Sequence, residues 1–164
     1  LLPRYQTWEN RILSKIDNDV IANAQVLNAK LAIYSGSLIG KGVGDGELKE
    51  YLPEAYADFY YSSFVEEFGS LSAVVLILLY LILLYRIIRI ALKSTNLFNT
   101  YTCIGIGILI LSQASVNMLV CTGIFPVTGQ NMPLLAMGGS ALMITCLGLG
   151  IIQSIAHKQN TVNI

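Results

Sequence analysis

The chain has 164 residues, 54% of them hydrophobic, and its ten basic and ten acidic side chains cancel to a formal net charge of zero. That balance hides a division of the chain. The residues before position 68 carry −4 (6 basic − 10 acidic), and the 97 residues after Glu67 carry +4 (4 basic, none acidic). Few soluble domains leave so long an apolar stretch without a carboxylate, so a soluble protein with buried helices is the weaker interpretation.

Residues 1–67 are predicted to form a large extracytoplasmic loop with short helices at the membrane interface. Trp8, Ile12 and Ile16 recur at helical spacing, which suits a helix lying on the membrane surface. Asp19 can cap a second helix that ends near Gly36. That helix carries one apolar stripe, made of Val20, Ala24, Leu27 and Leu31.

A glycine-rich loop follows the second helix and includes Lys41, Gly42 and Gly44. Such a loop can bring backbone N–H groups close to an anion such as a pyrophosphate. It lacks the GKS or GKT ending of a nucleotide-binding P-loop. A flexible connector explains the same residues equally well.

Residues 50–61 combine acidic and aromatic side chains. Pro53 is well placed as the first residue of a helix, which would put Glu54 and Asp58 on one face at i and i+4. Two carboxylates beside apolar surface should each resist ionisation, which favours a base that takes a proton from a sugar hydroxyl. From these residues alone, an acidic and aromatic interface helix without chemistry is the favoured alternative.

Residues 68–164 are predicted to contain three membrane spans, at 68–85, 101–122 and 134–156, with an outer turn at 123–133. Arg86, Arg89 and Lys93 follow the first span and Lys158 follows the third, so the positive-inside rule places these flanks and the C-terminus in the cytoplasm. The predicted fold class is therefore an all-α polytopic membrane protein. Glycines should let the last span pack closely against its neighbours; they are Gly138, Gly139, Gly148 and Gly150.

Several motifs resemble those of the SEDS proteins (shape, elongation, division and sporulation), in order and over nearly the whole chain. Residues 51–59, YLPEAYADF, followed by EEFG at 66–69, are similar to the family's LPEAHTDF and EELG. Asn117, Pro126 and Gly129 match its N-x-G-x-x-x-G-x-x-P-x-x-G pattern, and the segment from Pro133 through Gly138 and Gly139 to Ser140 resembles LPLISYGGSS. Gly40 to Gly44 resembles its G-x-G-x-G element, and Gln25 matches a recurrent glutamine upstream. The motifs are more like those of the family's division branch than of its elongation branch.

The resemblance implies the last three spans of a ten-span peptidoglycan glycosyltransferase of the bacterial cytoplasmic (inner) membrane, which polymerises lipid II into glycan strands. It implies Asp58 as the catalytic base, with supporting or substrate-binding roles for Glu54, Gln25, Lys41, Gly42 and Gly44. The implied partners are lipid II, undecaprenyl-linked glycan, a class B penicillin-binding transpeptidase, divisome proteins and membrane lipid, but no nucleic acid. A divalent cation, Mg²⁺ or Mn²⁺, near Asp58 could offset pyrophosphate charge, although the sequence offers no dedicated cage. No organic cofactor is expected.

The chain departs from the family pattern at two places. Tyr56 and Ala57 replace the usual His-Thr before Asp58, and Ala136 and Met137 replace the usual Ser-Tyr before the paired glycines. The first change removes hydrogen bonds that could orient the carboxylate. Three functional classes stay open, namely the polymerase, a lipid II flippase or other transporter, and a non-catalytic scaffold for a transpeptidase. This piece by itself is expected to be inactive.

Overall fold

The computed structural model describes residues 20–47 and 58–162, with the side chains of residues 24–47 and 58–159. These residues form four helices, α1 (Val20–Ser35), α2 (Tyr60–Lys93), α3 (Leu97–Cys121) and α4 (Gly139–Val162). Helices α2, α3 and α4 are each long and apolar enough to cross a membrane. The predicted all-α architecture with three spanning helices is therefore confirmed. The predicted surface helix near Trp8 and the predicted helix start at Pro53 lie outside the described residues.

The spanning helices begin at different residues from those predicted. Helix α2 begins eight residues early (68 − 60), and α3 begins at Leu97, where the Asn96 side chain caps it by accepting the N–H of Phe98 at 3.0 Å. The predicted start of the third span at 134 is wrong, because α4 begins at Gly139. Leu134 has a φ of 68°, outside the helical region, and residues 132–138 instead form turns closed by backbone hydrogen bonds.

The core runs along the α2–α3 interface at three levels. The first level joins α1 to the turn at Phe59 and the end of α3, and its buried residues are Ala29, Ala32, Phe59, Val120 and Cys121. The middle level joins α2 and α3 to the turn after α3, through Leu76, Tyr80, Ile110, Ala114, Met132 and Ala136. The third level adds α4, through Ile87, Ala91, Cys103 and Ile152. The turn after α3 is therefore part of the protein core.

Helix α1 confirms the second predicted helix. The face that packs against the protein is not the predicted apolar stripe that contains Leu27 and Leu31. Leu27 and Leu31 are more than half exposed, whereas Ala29 and Ala32 are buried. A Cβ on Gly36 would overlap the backbone carbonyl of Val65. Small residues on this face allow α1 to approach the backbone of α2 closely, and larger leucines could not occupy those positions.

Of the four glycines predicted to let the last span approach its neighbours, only Gly148 lies against another helix among the described residues. Gly138 precedes α4 and lies against Asn131 of the same turn. Among the described residues, an added Cβ meets nothing within 4 Å at Gly139 or Gly150, while at Gly148 it would lie 3.0 Å from a methyl of Ile106. A similarly close approach occurs at Gly107 on α3, where a Cβ would lie 3.1 Å from Cγ2 of Ile87 and 3.4 Å from Cδ1 of Leu84 on α2. The sequence analysis singled out α4 because its glycines are more frequent, but the more extensive interface is between α2 and α3, and it contains Gly107.

Replacing Gly107 by Leu should destabilise the chain, because the added side chain would have to displace Ile87 in a packed interface. Overpacking of this kind typically costs about 1–3 kcal/mol. Gly105→Leu is the matched control, since Gly105 lies on the same helix with open space beside it among the described residues. Both substitutions raise helix propensity equally. Thermal unfolding of the chain in detergent should separate them, and equal stability of the two variants would contradict the packing argument.

Candidate functional site

Helix α2 is broken at Gly69, where the backbone has φ 84° and ψ 170°. This region of φ is accessible to glycine without steric cost. A Cβ at Gly69 would also overlap the backbone of Leu38 and Gly40 in the glycine-rich loop. The break therefore needs glycine for two independent reasons, the backbone angle and the close approach of the loop.

The glycine-rich loop satisfies the backbone groups that the break leaves without helical partners. In an unbroken helix, the N–H groups of residues 70 and 71 would donate to the carbonyls of residues 66 and 67. Here the two carbonyls and the two N–H groups bind the loop instead, through four backbone hydrogen bonds that we call the latch. The carbonyls of Glu66 and Glu67 accept the N–H groups of Lys41 (2.9 Å) and Gly42 (3.1 Å). The N–H groups of Ser70 and Leu71 donate to the carbonyls of Ser37 (2.9 Å) and Leu38 (3.4 Å). The loop is thereby attached to the helix on both sides of the break.

The carboxylate of Glu66 reinforces the latch from inside the protein. Glu66 is 2% exposed, and its Oε1 accepts hydrogen bonds from the Lys41 ammonium at 3.1 Å and the Ser35 hydroxyl at 3.3 Å. The same oxygen accepts the backbone N–H of Glu47 at 3.1 Å. A buried carboxylate requires such donors, because the desolvation of its charge is otherwise costly. Glu66 thus joins α1, both ends of the loop and α2.

Lys41 is held between two carboxylates, since its Nζ also lies 3.2 Å from Oε1 of Glu47. The hydrogen bond with Glu66 is the main reason why the pKa of Lys41 is raised above its usual value of 10.5. The ion pair therefore contributes fully below that value and is lost only as the pH rises through the raised pKa. The ammonium is charged and paired throughout the physiological range.

The structure gives Lys41 and Gly42 a role inside the protein. Their N–H groups donate to helix carbonyls, so these two groups are not available to an anion. The Lys41 charge is offset by Glu47 and Glu66. Gly44 has a φ of 95° and is exposed. A substrate-binding role for Lys41, Gly42 or Gly44 stays a prediction, and it would have to use other atoms than these N–H groups.

Asp58 lies in a turn immediately before α2 and is half-buried. The next residue, Phe59, is 1% exposed and belongs to the first level of the core with Ala29 and Val120. The Phe59 carbonyl accepts the Ser62 hydroxyl at 2.8 Å, which secures the start of the helix. The buried aromatic ring thus anchors the backbone beside Asp58, while Asp58 itself retains access to the surface. Glu54, its predicted neighbour, lies outside the described residues.

Asn117 of α3 connects the Asp58 turn to the turn after α3. It is 1% exposed, and its Nδ2 donates to the carbonyl of Asp58 at 2.8 Å and to the carbonyl of Gln130 at 2.9 Å. Its Oδ1 lies 3.8 Å from Sγ of Cys121, which donates to it. An amide in an apolar helix is costly unless its polar atoms are used, and all of them are used here. Asn117 therefore positions the backbone of Asp58.

The turn after α3, residues 122–138, is held at both ends. Gly123 and Gly129 adopt φ values of 72° and 69°, and Pro126 is half-buried. Pro133 is buried, and its carbonyl accepts a hydrogen bond from the hydroxyl of Tyr80 on α2. Gln130 is exposed although its carbonyl is bound to Asn117. The motif residues of this segment thus fix a turn beside Asp58.

The predicted site residues are only partly brought together. Asp58, Asn117 and the 122–138 turn meet, whereas the Lys41–Gly44 loop attaches to α2 near its break. Gln25 is half-buried on α1, and Ser140 is exposed at the start of α4. The sequence reasoning missed Phe59, Tyr80 and Glu66 as supporting residues. The alternation of apolar and polar residues did not identify them, because each acts through contacts far along the chain.

A divalent cation is not accommodated by the part of the chain that the structure describes. Within residues 20–47 and 58–162 there is no group of three His, Cys, Asp or Glu side chains that could hold a metal ion. Asp58 alone would offer too few ligands, since Mg²⁺ and Mn²⁺ prefer several oxygen donors. We therefore derive no chemical step through a cation.

The fold and the site together define a polytopic helical membrane protein with a broken helix and an aspartate turn at one end. The family model described as "Cell cycle protein", which groups FtsW, RodA and SpoVE, matches residues 4–161. The chain belongs to this family.

The similar proteins include relatives named as glycosyltransferases and one named as a sporulation protein. The chain is 39% identical over 133 residues to "Probable peptidoglycan glycosyltransferase FtsW" of Trichlorobacter lovleyi, covering 80% of this chain and 35% of the relative. It is 35% identical over 134 residues to "Stage V sporulation protein E" of Bacillus subtilis, covering 81% and 37%. The chain thus spans a little over one third of the length of these relatives.

A solved structure shares the fold. It comes from work on structural coordination of polymerization and crosslinking by a peptidoglycan synthase complex, and it matches with a TM-score of 0.71 at 27% identity. The match covers 96% of this chain and 43% of the solved chain. The predicted family membership is therefore confirmed by sequence and by structure.

Replacing Glu66 by Gln should loosen the latch, because it removes the buried charge that pairs with Lys41 and leaves donors poorly satisfied. A loss of this kind in a buried network costs about 1–3 kcal/mol. Glu47→Gln is the matched control, since its carboxylate binds the same ammonium at nearly the same distance but is 71% exposed. An exposed pair contributes little. Limited proteolysis of the 36–47 loop should be faster only in Glu66→Gln, and equal cleavage of both variants would contradict the central role of Glu66.

Proposed function

We propose that the protein to which this chain belongs is a peptidoglycan glycosyltransferase that polymerises lipid II into glycan strands during cell division. Support comes from the relatives named FtsW and from the Asp58 turn. The observation that carries the proposal is the placement of Asp58. Asn117 binds the backbone carbonyl of Asp58, and the buried Phe59 anchors the next residue. Asp58 itself is only half-buried, at one end of the spanning helices.

In the proposed reaction, the Asp58 carboxylate acts as general base on the 4-hydroxyl of the acceptor sugar. It takes the hydroxyl proton as the oxygen forms a bond to the anomeric carbon of the growing strand. The bond from that carbon to the pyrophosphate oxygen breaks, and undecaprenyl pyrophosphate leaves with the electron pair. A fixed backbone beside the base favours this chemistry, because general-base catalysis requires hydrogen-bond distance to the abstracted proton.

The proposed setting is the bacterial inner membrane, in complex with a class B transpeptidase that crosslinks the new strand. The likeness to a chain of a peptidoglycan synthase complex supports this partnership. Divisome proteins are further proposed partners, on the basis of the relatives named FtsW.

Replacing Asp58 by Asn in the full-length protein with its transpeptidase should nearly abolish lipid II polymerisation. Loss of a general base typically lowers the rate by about 10²–10⁴-fold. The fold should persist, because Asn117 binds the backbone carbonyl of Asp58 and that bond survives the substitution. Glu54→Gln should have a milder effect if Glu54 only tunes Asp58. The measurement is the length and amount of glycan made from purified lipid II.

Asp45→Asn serves as the control, since Asp45 is an exposed carboxylate of the glycine-rich loop and should leave the rate unchanged. Near-normal polymerisation by well-folded Asp58→Asn protein would remove the enzymatic role of this site. Normal complex formation by that variant would then favour the scaffold, and lipid II transport without polymerisation would favour the flippase.

The proposed orientation places the Asp58 end outside the cell and the Lys93 end in the cytoplasm. The positive-inside rule supports this orientation, because four basic residues follow the spans, namely Arg86, Arg89, Lys93 and Lys158. Single cysteines at Asp45 and Gln130, introduced into a full-length protein without native cysteines, should react with an impermeant reagent added outside. A cysteine at Ser94 should react only after the membrane is permeabilised. Labelling at Ser94 in intact cells would invert the orientation.

A further inference from the structure

A groove of about 670 Å³ lies between α2 and α4, at the end of the spanning helices that is remote from Asp58. Leu83, the first groove residue on α2, lies 14 residues after Gly69 (83 − 69), so the groove begins roughly 21 Å along the helix axis from the break. The volume falls within the range of about 300–1,000 Å³ that is typical of ligand pockets. The groove is thus large enough for a ligand and distinct from the Asp58 turn.

One side of this groove is strongly basic. Arg86, Arg89 and Lys93 all line it, and their spacing of i, i+3 and i+7 places them on one face of α2. The positive-inside rule accounts for cations at this end of the helix, but it does not require them to share a face or to line a groove. Their alignment is therefore a property that membrane orientation alone leaves unexplained.

The described part of the chain provides no carboxylate for these three cations. Every Asp and Glu of the sequence precedes residue 68, and both ion pairs of the described residues belong to Lys41 at the opposite end. The guanidinium of Arg89 lies 6.0 Å from the centre of the Tyr85 ring, which is the outer limit of a cation–π contact. Charge complementarity therefore calls for an anionic ligand.

The rest of the groove is apolar. Leu83 and Ile90 on α2 face Leu149 and Ile152 on α4 across it, and Gln153 adds one amide. A soluble anion would gain nothing from these walls, and an uncharged acyl chain would gain nothing from the cations. An amphipathic molecule with an anionic head and a hydrocarbon tail satisfies both parts of the groove.

We propose that this groove binds an anionic phospholipid, with the phosphate at Arg86, Arg89 and Lys93 and an acyl chain along Leu83 and Leu149. Basic pockets between spanning helices are known to bind anionic lipid headgroups. The assignment to the cytoplasmic leaflet rests on the proposed orientation. Lipid binding itself depends neither on the orientation nor on glycan synthesis, so it is tested separately from the proposed function.

The test is native mass spectrometry of the full-length protein in detergent, titrated with phosphatidylglycerol or with phosphatidylcholine. The wild-type protein should bind phosphatidylglycerol in preference, and Arg86→Gln/Arg89→Gln/Lys93→Gln should bind it roughly a hundredfold more weakly, at about fivefold for each cation. Lys158→Gln is the matched control. It removes one cation from the same end of the protein but does not line the groove, so affinity should change less than twofold.

A second variant protects the test against loss of folding or of orientation in the triple variant. Ala156→Phe keeps every cation and fills the groove from α4, so it should also expel phosphatidylglycerol. Inorganic phosphate at millimolar concentration should not displace the lipid, because it cannot use the apolar walls. The proposal is overturned if phosphatidylcholine binds equally well, if inorganic phosphate competes fully, or if wild-type protein and both groove variants bind equally. It is also overturned if the wild-type protein binds no lipid, since another segment of the full protein would then occupy the groove.

Discussion

The break in α2 at Gly69 is the constraint on which the half of the structure near Asp58 depends. A helix can be interrupted inside a protein only if the freed N–H and carbonyl groups find other partners. The glycine-rich loop provides them through the latch, and the loop can approach so closely because Gly40 and Gly69 lack side chains. Glu66 then binds the loop through its carboxylate. The two motifs, G-x-G-x-G and EEFG, thus form one structural unit.

The same end of the protein holds the aspartate turn through a separate set of contacts. Asn117 binds the backbone carbonyls of Asp58 and Gln130, so one side chain holds the Asp58 turn and the turn after α3 together. Phe59 secures it from within the core. The backbone beside Asp58 is thus held both from α3 and from the core.

The two ends of α2 differ in whether their charged side chains have partners of opposite charge among the described residues. Near Gly69, the buried Glu66 accepts hydrogen bonds from Ser35, Lys41 and the backbone of Glu47. At the other end, three cations line a groove without a carboxylate among the described residues, namely Arg86, Arg89 and Lys93. Helix α4, which forms the second wall, packs less extensively than α2 and α3 and exposes Ile144 and Leu147. Ion pairs organise the end near Gly69, whereas at the other end the described residues place no carboxylate beside Arg86, Arg89 or Lys93.

The sequence by itself determined the fold class, the number of spans and the family. The length of the apolar segments and the absence of acids after Glu67 are local properties of the chain, and the thickness and polarity of a bilayer select for them directly. Asp58 and Asn117 were identified by motif, but their connection was not, because the bond between them joins residues 59 positions apart (117 − 58). Only the tertiary structure showed that α4 begins at Gly139, that Gly107 rather than Gly139 packs tightly, and that the loop N–H groups bind helix carbonyls. These features depend on which backbone approaches which, and local periodicity carries no information about such long-range contacts.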